Sequence, residues 1–170
     1  PYLIRGVTCV VSYLAFNDSA LRARLLFVPA QVKDRGESYR FLTHGFIHAD
    51  FMHLLFNMWA LYIFGPYAES AFLAMFGAAF GGAAYLLFYL AAIVASSYIT
   101  YTRHADNYGY SALGSSGAVA AVMWPFIFIQ PWAWFIFPPL PSIILGPSYI
   151  SYSHYSHMRG TRNIGHIAHV

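Results

Sequence analysis

Long apolar segments separated by short polar ones dominate the chain. The apolar segments cover 2–16, 51–64, 71–95, 116–129 and 132–152, and a further one begins at 163. A helix needs about 20 apolar residues to cross a bilayer, and the uncharged segment 71–95 meets that length. The pattern predicts an all-α, polytopic bundle of membrane helices in a single domain over 1–170. Because the segments at both ends are short, we expect the first and last spans to be truncated in a fragment.

Composition narrows the class of protein. The chain is 59% hydrophobic and 9% charged, with a mean hydropathy of +0.52, whereas soluble domains carry about 25% charged residues. We therefore expect an integral membrane protein whose surroundings are the lipid bilayer. The net charge of +3 is small and scattered, and predicts no nucleic-acid partner. The single cysteine, Cys9, excludes an internal disulfide and a cysteine-based metal cluster.

A mixed segment over 17–50 lies between the first two apolar segments. Its apolar pieces are too short to cross a bilayer, so it predicts a long polar or interfacial loop. Arg5 favours a cytoplasmic amino end, which places this loop outside the cell. Its basic residues then conflict with the positive-inside rule; they are Arg22, Arg24, Lys33, Arg35 and Arg40.

The second apolar segment begins among histidines. In one helix from His44, the side chains of His44 and His53 would point about 180° apart at 3.6 residues per turn. Asp50 avoids this as an N-cap, with the helix starting at the next residue. His53 and Asn57 then share one helix face, whereas His44 and His48 belong to the preceding loop, where we expect them to bond loop backbone.

A serine between glycines opens the fourth apolar segment, in the sequence Gly114-Ser115-Ser116-Gly117. Such a stretch is either a packing seam of small residues or a nucleophile that a backbone can approach. A helix from Ser116 to the break at Gln130 is roughly 20 Å long, in a hydrocarbon core of about 30 Å. Ser116 is therefore predicted roughly 10 Å below one surface, at the floor of a wet pocket.

Polar side chains within spans are candidates for function because their burial is costly. They are His53, Asn57, Ser116, His166 and His169. No carboxylate lies in the apolar part of a span, which favours a Ser-His dyad over a triad. If the last span starts near residue 163, His169 lies about 9 Å along it, at the depth of Ser116, and His166 about half as deep.

Taken together, these motifs resemble the rhomboid intramembrane serine proteases over essentially the whole chain. The resemblance rests on their order and spacing: Tyr39-Arg40, His44 and His48, His53 and Asn57, Gly114 to Gly117, and Ala168-His169. Two positions depart from the family pattern. Tyr39 stands where tryptophan is usual, and Ala120 stands where some members carry a tyrosine that stacks on the catalytic histidine.

The resemblance implies a six-span fold and an endopeptidase that cleaves transmembrane protein substrates without metal or cofactor. Ser116 would be the nucleophile and His169 the general base. The oxyanion hole would come from the Ser116 backbone N–H and the side chains of His53 and Asn57. Supporting positions are Gly114, Gly117, His44, His48 and Arg40. The site would open to the extracytoplasmic side, in a bacterial inner membrane; no oligomeric state is predicted.

Two alternatives remain open on the sequence. Histidine pairs could serve a membrane di-iron or haem enzyme: His44 with His48, His154 with His157, and His166 with His169. No His-His box and no well-placed carboxylate supports that interpretation. The second alternative is an inactive, rhomboid-like binding protein, which would normally lose the serine or the histidine. Chelator inhibition would favour the metal enzyme, and fluorophosphonate labelling the hydrolase.

Overall fold

The computed structural model describes residues 1–134, 140–148 and 151. Helices form this part of the chain: α1 Tyr2–Asn17, α2 Ser19–Leu25, α3 Pro29–Arg35, α4 Arg40–Thr43, a 3-10 turn His44–Phe46, α5 Phe51–His104 and α6 Ser116–Ile129. Helix resumes over 142–148. Extended pairing in the described ranges is limited to the isolated bridges Phe27–Ala112 and Trp134–Pro141. The predicted all-α class is confirmed for these residues.

Helix α5 is two antiparallel arms joined at one residue. Gly77 has φ 75° and ψ 168°, outside the helical region, and separates a first arm over 51–76 from a second arm over 78–104. The arms pack closely: a Cβ on Gly81 would lie 2.5 Å from the Leu73 Cα. The Phe72 ring lies 6.1 Å from that of Tyr85 and 5.1 Å from that of Phe88.

The sequence prediction placed these boundaries wrongly. It ended the first of the two helices at 64, ran the next without interruption over 71–95, and treated 96–110 as a loop. The chain instead turns at Gly77 and stays helical to His104. Glycine reaches positive φ without steric cost, and apolar residues lie on both sides of it, so neither hydropathy nor a polar turn marks the break.

The two arms of α5 are long enough to cross a bilayer. Each arm of α5, with 26 or 27 residues, is about 40 Å long, more than the roughly 30 Å hydrocarbon core. By length and composition, α5 is the one helix in the described ranges able to cross a membrane; α1 and α6 are apolar but shorter. With 14 residues, α6 is about 21 Å long, as its sequence predicted.

Helix α6 packs into the space between the two arms. The core it shares with them is fully buried and includes Leu61, Phe64, Tyr85, Tyr89, Ile93, Val119 and Val122. This packing brings the start of α6 beside the start of the first arm and the end of the second. A Cβ on Gly114 would meet the His53 ring at 2.7 Å, and one on Gly117 would meet the Ser96 Cβ at 2.4 Å.

The predicted loop over 17–50 is folded into short helices. Asp18 caps α2 by accepting the backbone N–H groups of Ala20 and Leu21, each at 2.9 Å. The Arg40 side chain, 5% exposed, donates to the Glu37 carboxylate at 2.5 Å. It also donates to the carbonyls of Ala23 and Leu26, at 3.0 and 2.6 Å. Arg40 therefore joins the end of α2 to α4.

Arg40→Ala is expected to lower the free energy of unfolding by about 3 kcal/mol, because it leaves Glu37 and two carbonyls without their buried partner. Thermal unfolding in detergent would measure the change. Arg24→Ala is the matched control, since Arg24 is exposed on α2 and its loss should cost less than about 0.5 kcal/mol. Equal unfolding temperatures for the two variants would contradict the bracing role of Arg40.

Candidate functional site

The N-cap of α5 orients His53 and Asn57. The Asp50 carboxylate accepts the His53 backbone N–H at 2.8 Å, which confirms the predicted start of this helix. One turn later, the Asn57 amide donates to the His53 carbonyl at 2.9 Å. Both side chains face the segment before α6: His53 lies against Gly114, and the Asn57 Oδ1 lies 3.5 Å from the Ser115 Oγ. The predicted shared face is therefore confirmed.

The hydrogen bonding of His53 fixes which ring nitrogen carries its proton. The Ala49 backbone N–H donates to Nδ1 at 3.4 Å, and because Nδ1 then accepts, the proton of the neutral ring is on Nε2. Gly114 lies over the ring with φ +107°, and a Cβ there would be 3.1 Å from Nε2. Any other residue at 114 would strain the backbone and displace the ring.

Ser116 is the first residue of α6, where the sequence predicted the helix to start. Ser116 is half-buried, whereas the neighbouring Ser115 is 1% exposed. The N–H groups of a first helical turn have no partner within the helix, and the helix dipole makes this end electropositive. A half-buried hydroxyl beside such donors can attack a carbonyl and leave the resulting negative charge near N–H groups.

His44 braces the segment that leads to Ser116. Its Nδ1 donates to the Arg40 carbonyl at 2.9 Å, and its own carbonyl accepts the Gly114 N–H at 2.9 Å. Phe27 and Ala112 exchange two further backbone hydrogen bonds at 3.0 and 2.9 Å. Burial lowers the pKa of His44 to about 4, so the ring is neutral at physiological pH. His44 therefore bonds loop backbone, as the sequence predicted.

His48 differs from its prediction, because its ring bonds two side chains rather than loop backbone. Its Nδ1 lies 2.9 Å from the Ser12 Oγ, and its Nε2 lies 3.2 Å from the Ser115 Oγ. Burial, followed by the nearby His53, lowers the pKa of His48 to about 3. Neither Ser12 nor a partner for Ser115 was predicted from the sequence. A polar residue on the apolar helix α1 was the signal that could have revealed the contact.

Four of the predicted histidines, His154, His157, His166 and His169, lie outside the described residues. The predicted general base, His169, and its alternative, His166, are among them. Within 1–134 and 140–148, no three His, Cys, Asp or Glu side chains come together where they could hold a metal ion. The described part of the site therefore comprises Ser116 with its neighbour Ser115, the pair His53 and Asn57, and the glycines packed against them.

Comparisons with known proteins show which family and relatives the chain resembles. The family model described as Rhomboid domain matches residues 35–170. The chain is 31% identical over 134 residues to Rhomboid protease GlpG of Haemophilus influenzae, an alignment that covers 75% of this chain and 61% of the relative. It is 32% identical over 180 aligned positions to RHOMBOID-like protein 12, mitochondrial, of Arabidopsis thaliana, covering 99% of this chain and 53% of the relative.

These matches identify the family and the surroundings in which the protein works. The chain spans between about half and three fifths of the length of these two relatives. The family match covers most of the chain, and the apolar arms of α5 agree with the integral membrane protein that it implies. The chain belongs to the rhomboid family.

Proposed function

We propose that the chain is the core of an intramembrane serine endopeptidase with Ser116 as its nucleophile. The observation that carries the proposal is the meeting of His53 and Asn57 with the start of α6. These residues are about 60 positions apart in the sequence. A serine hydrolase needs non-ionic donors beside its nucleophile, and packing between the first arm of α5 and α6 brings these polar groups together.

In the proposed reaction, His169 takes the proton of the Ser116 hydroxyl as Oγ attacks the carbonyl carbon of the scissile peptide bond. The C–N bond then breaks, and His169 passes that proton to the leaving amine. A water molecule, deprotonated by the same histidine, attacks the acyl-enzyme ester and releases the acid product while Ser116 recovers its proton. A Ser-His dyad is sufficient for each of these transfers.

The proposed oxyanion hole combines three N–H donors. The Ser116 backbone N–H lies at the start of α6. His53 contributes Nε2–H, because its Nδ1 is an acceptor. Asn57, whose side-chain amide also donates to the His53 carbonyl, contributes an amide N–H. Gly114 and Gly117 support the hole by allowing the close approaches to His53 and Ser96.

The proposed setting is a six-span bundle in the bilayer, built from α1, both arms of α5, α6 and two further spans beyond it. Because α6 is about 10 Å shorter than the hydrocarbon core, a substrate segment must reach Ser116 below the membrane surface. A transmembrane helix that unwinds near its end fits this depth. We place the site on the extracytoplasmic side; the Haemophilus relative favours a bacterial inner membrane, whereas the Arabidopsis relative is named mitochondrial.

Activity-based labelling tests the proposal against its alternatives. The full-length protein in detergent is treated with a fluorophosphonate, and mass spectrometry identifies the labelled residue. We expect the label on Ser116, insensitive to metal chelators. Chelator-sensitive activity without labelling would favour a di-iron or haem enzyme, which the family match does not favour. An unlabelled protein that binds transmembrane helices would be the inactive, rhomboid-like binding protein.

Asn57→Ala is expected to slow substrate cleavage by about 10²–10³-fold, the cost of one lost oxyanion donor. Asn17→Ala is a matched control, because the Asn17 amide, at the exposed end of α1, donates to the Tyr13 carbonyl four residues earlier at 2.8 Å. That is the same local bond that Asn57 makes to His53. Full activity of Asn57→Ala at normal expression would remove Asn57 from the oxyanion hole.

A further inference from the structure

Three buried side chains from three separate parts of the chain form a continuous hydrogen-bonded row. Ser12 lies on α1, His48 in the turn before α5, and Ser115 directly before α6. Their exposures are 0%, 1% and 1%. The Ser12 Oγ lies 2.9 Å from the His48 Nδ1, and the His48 Nε2 lies 3.2 Å from the Ser115 Oγ. We call these three residues the serine–histidine row.

The direction of each hydrogen bond in the row follows from its end on α1. The Ser12 hydroxyl donates its one proton to the Phe46 carbonyl at 2.9 Å, since a carbonyl can only accept. Ser12 must therefore accept from the His48 Nδ1–H. In the neutral ring Nε2 is then an acceptor, and the Ser115 hydroxyl donates to it. Ser115 also approaches the Asn57 Oδ1 at 3.5 Å, so its proton is shared between two acceptors.

The row holds the Ser115 hydroxyl away from the helix that it precedes. Serine at an N-cap normally accepts an N–H of the first turn, yet Ser115, the N-cap of α6, makes no such side-chain bond within the described residues. Its hydroxyl donates to His48 instead. The side chain of its own N-cap residue thus leaves the electropositive start of α6 uncapped.

The Tyr89 hydroxyl completes the surroundings of Ser115. Tyr89 is 0% exposed on the second arm of α5, and its hydroxyl interacts with Ser115 although it falls outside strict hydrogen-bond geometry. With its proton donated to His48 and a side chain only 1% exposed, Ser115 is less accessible to a peptide carbonyl than the half-buried Ser116. Ser115 therefore positions its neighbour and is not itself a nucleophile.

We propose that Ser12, His48 and Ser115 are positioning residues that fix the position of Ser116 relative to Asn57. The row joins α1 to the start of α6 and, through Ser115, to the amide of Asn57. This inference rests on the proposed function, because it assigns these residues a role in the peptidase reaction. Loss of the row lets Ser115 rotate toward the α6 terminus, which shifts Ser116 relative to Asn57 without affecting substrate binding elsewhere.

Ser115→Ala in the full-length protein is expected to lower kcat for a transmembrane substrate about tenfold with KM unchanged, the rate equivalent of one buried hydrogen bond. Ser97→Ala is the matched control, because Ser97 is 3% exposed and its hydroxyl bonds backbone carbonyls, two of its own helix and that of Phe41, rather than a side chain. We expect that variant to keep its kcat. Full kcat in Ser115→Ala would overturn the proposal.

Two substitutions of His48 distinguish a role through its hydrogen bond to Ser115 from a role in filling space in the core. His48→Gln keeps an acceptor near the position of Nε2, within reach of Ser115, and should stay within about threefold of the wild-type kcat. His48→Asn keeps a donor near Nδ1, within reach of Ser12, and should match the roughly tenfold loss of Ser115→Ala. The double variant His48→Asn/Ser115→Ala should be no slower than either single one. Equal losses in the Gln and Asn variants would overturn the proposal.

A measurement on the wild-type protein tests the direction of the row without depending on whether any variant folds. Nitrogen-15 NMR of the histidine rings should show His48 neutral, with the proton on Nδ1 and none on Nε2. The opposite tautomer would overturn the direction of the row. A wild-type protein that neither cleaves nor accepts the fluorophosphonate would refute the peptidase function, and the row's catalytic role with it. An active wild type with an unchanged Ser115→Ala would refute the row alone.

Discussion

Ser116→Ala is expected to abolish cleavage of a transmembrane substrate, with a fall in kcat on the order of 10⁶-fold. Without the hydroxyl no acyl-enzyme can form, and only the oxyanion donors and substrate binding remain. The fold should be intact, because Ser116 is half-buried and the packing of α6 rests on its apolar residues. Cleavage rate and unfolding temperature, measured on the same preparation, would separate the two effects.

Ser115→Ala provides the comparison for this result. It removes a hydroxyl from the adjacent residue, but from a 1% exposed side chain, and should retain about a tenth of the activity. If Ser116→Ala still cleaved substrate or accepted the fluorophosphonate, while Ser115→Ala did neither, the nucleophile would be Ser115. The burial of Ser115 argues against that outcome, since a peptide carbonyl must approach the attacking oxygen.

His169→Ala is expected to be inactive, whereas His166→Ala should keep substantial activity. A general base must approach within about 2.6–3.2 Å of the hydroxyl that it deprotonates. If the last span starts near residue 163, as the sequence predicts, His169 would be about 9 Å deep and His166 about half that. That expected depth for His169 would match the roughly 10 Å expected for Ser116 at the start of the short helix α6.

The histidine assignment can be checked in two ways. The kcat of each variant, measured with the same transmembrane substrate, should differ by several orders of magnitude. An experimental structure of the full-length protein would give the distance from the Ser116 Oγ to each imidazole. A shorter approach by His166, with His169 facing lipid, would transfer the role of base to His166.

The parts of the site that the sequence predicted are those set by local signals. Asp50 as an N-cap determines where α5 starts, and the spacing of His53 and Asn57 then determines that they share a face. The start of α6 at Ser116 and its end before Gln130-Pro131 follow from glycine, proline and apolar length. Each of these features depends on residues within one or two helical turns.

The parts that could not be predicted depend on contacts between distant segments. The bond between Ser12 and His48 joins positions 36 residues apart, and nothing near either residue specifies its partner. The turn at Gly77 is visible in its backbone angles and in the packing of Gly81 on Leu73, but not in the sequence, since a glycine within an apolar run also occurs in unbroken helices. The Arg40 guanidinium likewise comes within hydrogen-bond distance of the Ala23 and Leu26 carbonyls only when the segment 17–50 has folded.

The one-residue connection at Gly77 has a consequence for the order in which the protein assembles. A short loop costs little entropy to close, so the two arms of α5 can pair as soon as both have entered the membrane. Synthesis proceeds from the amino end, and α6 follows α5 by a segment of 11 residues, 105–115. We therefore expect the surface that carries His53 and Asn57 to form before α6 docks. Helix α6, with Ser116 at its start, would then pack against two arms that are already paired.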